Sequence, residues 1–140
     1  MQKRTSEWPL KIVLEVLEES KIQYILLGGQ AVVAYGAAQF TRDADSWIKP
    51  TKKNLVCLQK ALKQLKAKPR FSPPLDIEYL RKGHGVQFRF TYREQTFLID
   101  ILGKPPRVIP NFNQAYKDAN HIQWHELSVP VIELSYASIL

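Results

Sequence analysis

The stretch of residues 24–48 constrains the fold most strongly, because several local patterns follow one another within it. It opens with the apolar run 24–27, which is too short for a surface helix and is typical of a buried strand. Gly28 and Gly29 then suit a tight turn in which the backbone approaches another group closely. Residues 30–35 favour a short helix, and 44–48 return as a strand. The stretch therefore predicts a strand, a glycine turn, a helix and a second strand, in that order.

The remaining sequence alternates between helical and extended patterns. Apolar residues recur at helical spacing in two stripes, which predict two amphipathic helices: Leu10, Val13, Leu14 and Leu17, then Leu55, Leu58, Leu62 and Leu65. Residues 86–92 alternate apolar and polar side chains, and 96–102 follow as the partner strand of a β-hairpin. Shorter helices are expected over 75–82 and 111–119, whereas 122–131 has an extended pattern. We therefore expect an α+β fold in which helices pack on a mixed or antiparallel sheet.

Composition bounds the class of protein without identifying it. At 140 residues, with 45% hydrophobic and 24% charged residues, the chain suits one domain with a core and is too short for two. No apolar run approaches the roughly 18–20 residues that a membrane span needs. The single cysteine, Cys57, excludes an internal disulfide, which fits the cytoplasm. We expect residues 1–134 to form the domain and 135–140 to begin a C-terminal helix that is cut short.

The charge balance is the one skewed property of the composition. The formal net charge is +7, which favours polyanionic partners such as nucleotides, RNA or DNA. Many of the lysines fall on the predicted helix that carries the second leucine stripe, on the side away from that stripe. We expect these lysines to be simply solvated, and a solvated surface explains the net charge as a whole as well as a polyanionic partner does.

Three aspartates carry the chemistry that the sequence suggests. Asp43 and Asp45 are two residues apart, so on a strand their side chains share one face. Carboxylates are the ligands that Mg²⁺ takes, together with substrate phosphates and water. Asp100 lies inside an apolar strand, so it needs a metal, a cation or a hydrogen-bond donor as its partner. An arginine or backbone amides would serve a purely structural Asp100, whereas convergence of the three acids would serve two-metal phosphoryl transfer.

The glycine turn supplies a second candidate site. Gly28, Gly29 and Gln30 precede the predicted short helix, and exposed backbone N–H groups at a helix N-terminus bind phosphate. A glycine pair alone fits an ordinary strand-to-helix turn just as well. Because Asp43 and Asp45 follow it, the combination indicates chemistry on a nucleoside triphosphate.

These motifs resemble the nucleotidyltransferase superfamily of the DNA polymerase β type. In that family an apolar residue and Gly-Gly or Gly-Ser precede Asp-x-Asp, and a third Asp lies on a later strand. The matching residues here are Leu27-Gly28-Gly29, Asp43-Ala44-Asp45 after a gap of thirteen residues, and Asp100. The chain is most similar to small bacterial members related to the abortive-infection nucleotidyltransferase toxins. Gln39 stands where that subgroup has Arg, and Arg42 is expected to contact phosphate in its place.

The resemblance implies a Mg²⁺- or Mn²⁺-dependent transfer of a nucleoside monophosphate from an NTP, such as ATP, to an acceptor hydroxyl, with release of pyrophosphate. Asp43 and Asp45 would bind both metal ions, Asp100 would bind the catalytic ion and help to deprotonate the acceptor, and the glycine turn would hold the β- and γ-phosphates. The acceptor would be an RNA, a protein or a small molecule, and a protein partner of the toxin–antitoxin type is expected. The alternative is a non-catalytic nucleotide- or nucleic-acid-binding module on the same fold.

Other polar residues have simpler interpretations. His84, between two glycines, is expected to be a loop histidine without a partner. His121 and His125 lack the second pair of ligands that a zinc site needs. Cys57 lies beside the second leucine stripe and is expected to be structural.

Overall fold

The computed structural model describes residues 9–27, 43–69, 75–105, 111–124 and 126–133. The helices in this part of the chain are α1 (Pro9–Glu19), α2 (Lys52–Gln64), α3 (Ile77–Arg81) and α4 (Phe112–Asp118). The strands are β1 (Tyr24–Leu26), β2 (Asp43–Ile48), β3 (Lys68–Pro69), β4 (Val86–Tyr92), β5 (Gln95–Leu102), β6 (Asn120–Trp124) and β7 (Leu127–Val131). No helix within these ranges combines the length and the apolar character that crossing a membrane requires.

One sheet joins all these strands in the order β3-β4-β5-β2-β1-β7-β6. The pairs β2–β5 and β1–β7 are parallel, and the other neighbours are antiparallel. The predicted hairpin is present as β4 and β5, which are joined by a turn at Arg93 and Glu94. The mixed sheet with its helices confirms the predicted α+β fold.

The segment predicted to be extended, 122–131, instead folds back on itself as the hairpin of β6 and β7. The reversal falls between Trp124 and Leu127, where no Gly, Asn or Asp marks a turn in the sequence. Pro130 lies one residue before the end of β7, where its missing N–H interrupts little of the strand pairing.

The first face of the sheet carries the larger core, onto which α1, α2 and α3 pack. Both predicted leucine stripes are buried there. The strands contribute every second residue, such as Tyr24 and Leu26 from β1 and Ile99 and Ile101 from β5. This alternation sends the residues between them to the opposite side of the sheet.

The second face carries a smaller apolar cluster, which is covered by α4. Its buried members are Ile25, Leu27, Trp47, Phe112, Ala115 and Ile132. Trp47 meets Phe112 edge to face, with ring centroids 5.6 Å apart, and its Nε1 donates to the carbonyl of Gly103 at 3.3 Å. These contacts tie the end of β2 to the end of β5. On the second face, the residues nearer the start of β2 lie outside this apolar cluster and are polar.

Candidate active site

Asp45 and Asp100 are direct neighbours across the parallel strands β2 and β5. In-register residues of adjacent strands lie about 4.8 Å apart and project to the same face. That face is the second one, because Trp47 and Leu102, two residues further along each strand, belong to the smaller apolar cluster. Both aspartates are half-buried. The fold therefore brings two of the three predicted acids together.

Gln87 is the side-chain partner of Asp100. It faces Asp100 across the antiparallel strands β4 and β5, and its Nε2 donates to Asp100 Oδ1 at 2.5 Å. The sequence required a partner for Asp100, and this one is a side-chain amide. Because an amide is neutral, it fixes one carboxylate oxygen and leaves the negative charge in place, unlike the arginine considered above.

Sequence reasoning overlooked Gln87, because its pairing with Asp100 depends on the length of the hairpin turn. A hairpin whose turn is Arg93 and Glu94 pairs Tyr92 with Gln95, and counting back along both strands pairs Gln87 with Asp100. Gln87 also falls on the polar side of the β4 alternation, between the buried residues Val86 and Phe88. The strands predicted over 86–92 and 96–102 leave a three-residue turn, which would pair Gln87 with Ile101, so the two-residue turn of the structure shifts this register by one.

The chain segment that leads to the glycine pair leaves the sheet beside Asp45. β1 runs antiparallel to β2, and the N–H of Leu27 donates to the carbonyl oxygen of Asp45 at 3.0 Å. Gly28 follows Leu27 in the sequence. Gln87, Asp100 and Asp45 therefore form a row across three strands, which we call the acidic row. At its Asp45 end, this row lies beside the residue that precedes the glycines.

The remaining predicted site residues are only partly covered by the structure. Gly28, Gly29, Gln30 and Arg42 lie outside the described residues, and so does the short helix predicted over 30–35. Asp43 begins β2 opposite Leu98, but its side chain is not among those described. Among the side chains that are described, no three His, Cys, Asp or Glu lie close enough to hold a metal ion together. The three-acid set and the phosphate-binding turn stay predictions.

The two described acids have the chemistry that Mg²⁺ requires. Mg²⁺ is bound in proteins through one or two carboxylates, and substrate phosphates and water complete its shell. Asp45 and Asp100 supply two carboxylates one strand spacing apart, and like charges opposed in this way repel unless a cation lies between them. The donor set of the acidic row therefore fits a magnesium ion.

The predictions for the histidines and for Cys57 compare differently with the structure. His84 stacks on Tyr79, with ring centroids 4.5 Å apart, so the expectation that it has no partner is wrong. The stacking follows from the bend at Gly83, whose φ of 96° turns the chain back over α3. Cys57 packs against the larger core, as a structural cysteine would. His121 lies exposed on β6 with its ring edge towards Tyr116.

Comparison with known proteins supports the predicted fold but does not identify the functional site. Neither protein-family models nor curated protein sequences gave a match to this chain. Among solved structures, the chain is similar to TM1012 from Thermotoga maritima, which is described as a candidate nucleotidyltransferase. The TM-score is 0.56 at 14% sequence identity, over 92% of this chain and 78% of that one. The likeness confirms the predicted nucleotidyltransferase-like fold.

Proposed function

We propose that this protein is a metal-dependent nucleotidyltransferase, which moves a nucleoside monophosphate from an NTP to an acceptor hydroxyl and releases pyrophosphate. The observation that carries the proposal is the in-register placement of Asp45 and Asp100 on adjacent parallel strands. The hydrogen bond from Leu27 to Asp45 supports it, because it brings the start of the glycine turn to the same place. The likeness in fold to a candidate nucleotidyltransferase supports it further.

In this proposal the acidic row holds the cation and Asp43 completes the set. Bound Mg²⁺ or Mn²⁺ would neutralise triphosphate charge and align the acceptor oxygen with the α-phosphorus. Gln87 fixes Asp100 through Oδ1, so we assign Oδ2 to the cation and to the proton of the acceptor hydroxyl. The backbone N–H groups of Gly28 and Gly29 are assigned to the β- and γ-phosphates, and Gln30 and Arg42 are assigned to nucleotide binding as well.

The proposal also includes the acceptor, the cellular location and a protein partner, all of which rest on the resemblance in sequence. We assign the acceptor hydroxyl to an RNA, a protein or a small molecule, and place the reaction in the cytoplasm. A protein partner of the toxin–antitoxin type belongs to the same proposal.

Incubation of the protein with each labelled NTP, Mg²⁺ and either total RNA or lysate tests the activity directly. We expect label transfer by the wild type and at least about a hundredfold less by Asp45→Asn and by Asp100→Asn, since both variants lose a cation ligand but keep the side-chain shape. Glu126→Gln is the matched control, because Glu126 is exposed in the β6–β7 turn, two strands away from β2. Full transfer by either Asp variant would refute the assignment.

A thermal-shift measurement separates the enzyme from a non-catalytic module. Ligand that binds only the folded state at ten times its Kd adds about 1.4 kcal/mol to the free energy of unfolding. This amounts to roughly 3–6 °C in Tm for a chain of this size. The wild type should show this shift only with Mg²⁺ and a non-hydrolysable NTP together, and Asp100→Asn should not show it. An equal shift without metal would favour the non-catalytic module.

Gln87 provides a test of how Asp100 is positioned. Replacing it by Met keeps a side chain of similar length but removes the amide that holds Asp100 Oδ1. We expect a lower kcat with little change in KM for the NTP, because the nucleotide-binding turn is untouched. Gln123→Met, exposed on β6, is the control. An unchanged kcat would show that the Gln87 contact has no role in the reaction.

A further inference from the structure

One segment of this protein carries many positive charges and no negative ones. Residues 49–68 contain seven lysines and no Asp or Glu: Lys49, Lys52, Lys53, Lys60, Lys63, Lys66 and Lys68. The chain has 20 Lys and Arg against 13 Asp and Glu, so without these seven lysines its basic and acidic residues are equal in number. The lysines of α2 and the residues flanking it therefore equal in number the formal charge of +7.

The packing of α2 turns these lysines towards solvent on one side. Its apolar side, with Leu55, Leu58 and Leu62, is buried in the larger core. The opposite side is exposed and carries four lysines, which together with Lys66 just beyond the helix we call the basic face: Lys52, Lys53, Lys60, Lys63 and Lys66. Val56 lies among them with 49% of its surface exposed. The charge is thus held in a fixed arrangement by a helix that cannot rotate without exposing its leucines.

A cavity continues the basic face beyond the start of α2. It has a volume of about 460 Å³, and Lys21, Lys49 and Lys53 line it together with Thr51 and Cys57. Its described lining contains no carboxylate. Three ammonium groups around one open cavity repel one another, and an anion in the cavity would relieve that repulsion. The cavity therefore favours the same kind of ligand as the basic face.

We propose that the basic face and this cavity bind the phosphate backbone of a nucleic acid without regard to sequence. From Lys52 to Lys63 the helix rises about 16 Å, which matches roughly five phosphates of one strand of a duplex. Lysine contacts phosphate as a point charge and lacks the planar fork with which arginine reads bases or pairs with carboxylates. The segment has no aromatic residue on which a base could stack.

The same features disfavour the other large anionic partners. A membrane-surface helix inserts an apolar side, and the apolar side of α2 is occupied by the core. An acidic protein would need apolar or aromatic anchors at the centre of the contact, and the basic face offers only Val56. Phosphate contacts alone suffice for non-specific binding of nucleic acid.

The proposed surface lies away from the acidic row. α2 packs on the first face of the sheet, whereas Asp45 and Asp100 project from the second. The inference therefore does not depend on the proposed catalytic function. Binding should survive in Asp45→Asn and Asp100→Asn even if these variants are inactive, or if the wild type itself transfers nothing.

Fluorescence anisotropy with a labelled 20-base-pair DNA duplex, between 50 and 200 mM salt, tests the surface. Each lost phosphate contact makes the slope of log K against log salt less negative by about 0.9. Lys60→Gln/Lys63→Gln should therefore change the slope by about 1.8 and weaken binding at least about tenfold at 100 mM salt. Lys104→Gln/Lys117→Gln is the matched control, because both lysines are exposed outside the basic face and the change in net charge is the same.

Cys57 offers a second readout in the unmodified protein. It is the single cysteine and lines the cavity, so its rate of reaction with a maleimide reports on access to that place. The duplex should slow the reaction at 50 mM salt and not at 500 mM. The proposal is overturned if the control pair weakens binding as much as the α2 pair, if Cys57 reacts at the same rate with duplex bound, or if only phosphatidylserine vesicles or an acidic peptide bind.

Discussion

Asn54 is the residue whose replacement best tests how α2 is attached to the sheet. It is 6% exposed and lies in the first turn of α2. Its Oδ1 accepts from the N–H of Gln23 at 2.9 Å, and its Nδ2 donates to the carbonyl oxygens of Gln23 and Lys49, both at 3.0 Å. Gln23 precedes β1 and Lys49 follows β2. The Asn54 side chain therefore joins α2, which carries the basic face, to the residues flanking β1 and β2 in the sheet that carries the acidic row.

The cost of Asn54→Ala follows from these three bonds. Each contributes about 1 kcal/mol net, so their loss should lower the free energy of unfolding by about 3 kcal/mol. A chain of this length has a total of roughly 7–20 kcal/mol. The change should lower Tm by about 6–12 °C. Asn54→Asp should cost more, because it keeps one acceptor, loses the donor and places a carboxylate against two carbonyl oxygens.

Urea and thermal unfolding, followed by circular dichroism, measure both variants. Asn113→Ala on α4 is the control, since Asn113 is exposed. The reasoning is refuted if Asn54→Ala is as stable as the Asn113 control, or if Asn54→Asp is more stable than Asn54→Ala. The Cys57 reaction rate supplies a local check, because Asn54 and Cys57 line the same cavity. That rate should rise in Asn54→Ala.

Three further changes test individual contacts. Burial, with a smaller contribution from Glu18, raises the pKa of the Tyr24 hydroxyl far above its usual range. The unfolded chain therefore releases this proton near pH 10, whereas the folded chain keeps it. Wild-type stability should consequently fall by about 1.4 kcal/mol per pH unit above pH 10. In alkaline urea titrations, Tyr24→Phe should not show that part of the fall. Gly103→Ala would place a Cβ 2.7 Å from the Cβ of Leu80, and urea unfolding should show a cost of about 1–3 kcal/mol. Thr51→Ala removes the oxygen that caps α2 through the N–H of Asn54, and Tm should fall by an amount equivalent to about 1 kcal/mol.

Patterns of period two and period 3.6 predicted most of the fold. They identified α1 and α2 by their leucine stripes and the β4–β5 hairpin by its alternation, because in each case burial of one side decides the local structure. The β6–β7 hairpin was missed because no Gly, Asn or Asp marks its reversal between Trp124 and Leu127. Tertiary contacts override weak local preferences at such places.

The residue types of the candidate site could be predicted from the sequence, but their spatial arrangement could not. That Asp100 needs a polar partner follows from its position among apolar residues on β5, and Gln87 is that partner. That it lies level with Asp45 depends on the register between β2 and β5, which a long stretch of intervening chain separates and no local pattern encodes. The lysines of α2 show the converse. The sequence placed them on one side of a helix, and only the packing showed that this side is held outward and continues into a cavity.

The separation of the two proposed surfaces has a thermodynamic consequence. At least the thickness of α2, about 10 Å, and the sheet itself lie between the basic face and the acidic row. Changes at such distances, without shared partners, usually add within about 0.5 kcal/mol. The effects of Lys60→Gln/Lys63→Gln and Asp100→Asn on duplex affinity should therefore be additive in a double-mutant cycle at 150 mM salt, where charges this far apart are screened. A coupling above about 1 kcal/mol would mean that the bound nucleic acid reaches around the sheet to Asp100, and the two surfaces would then be one continuous site.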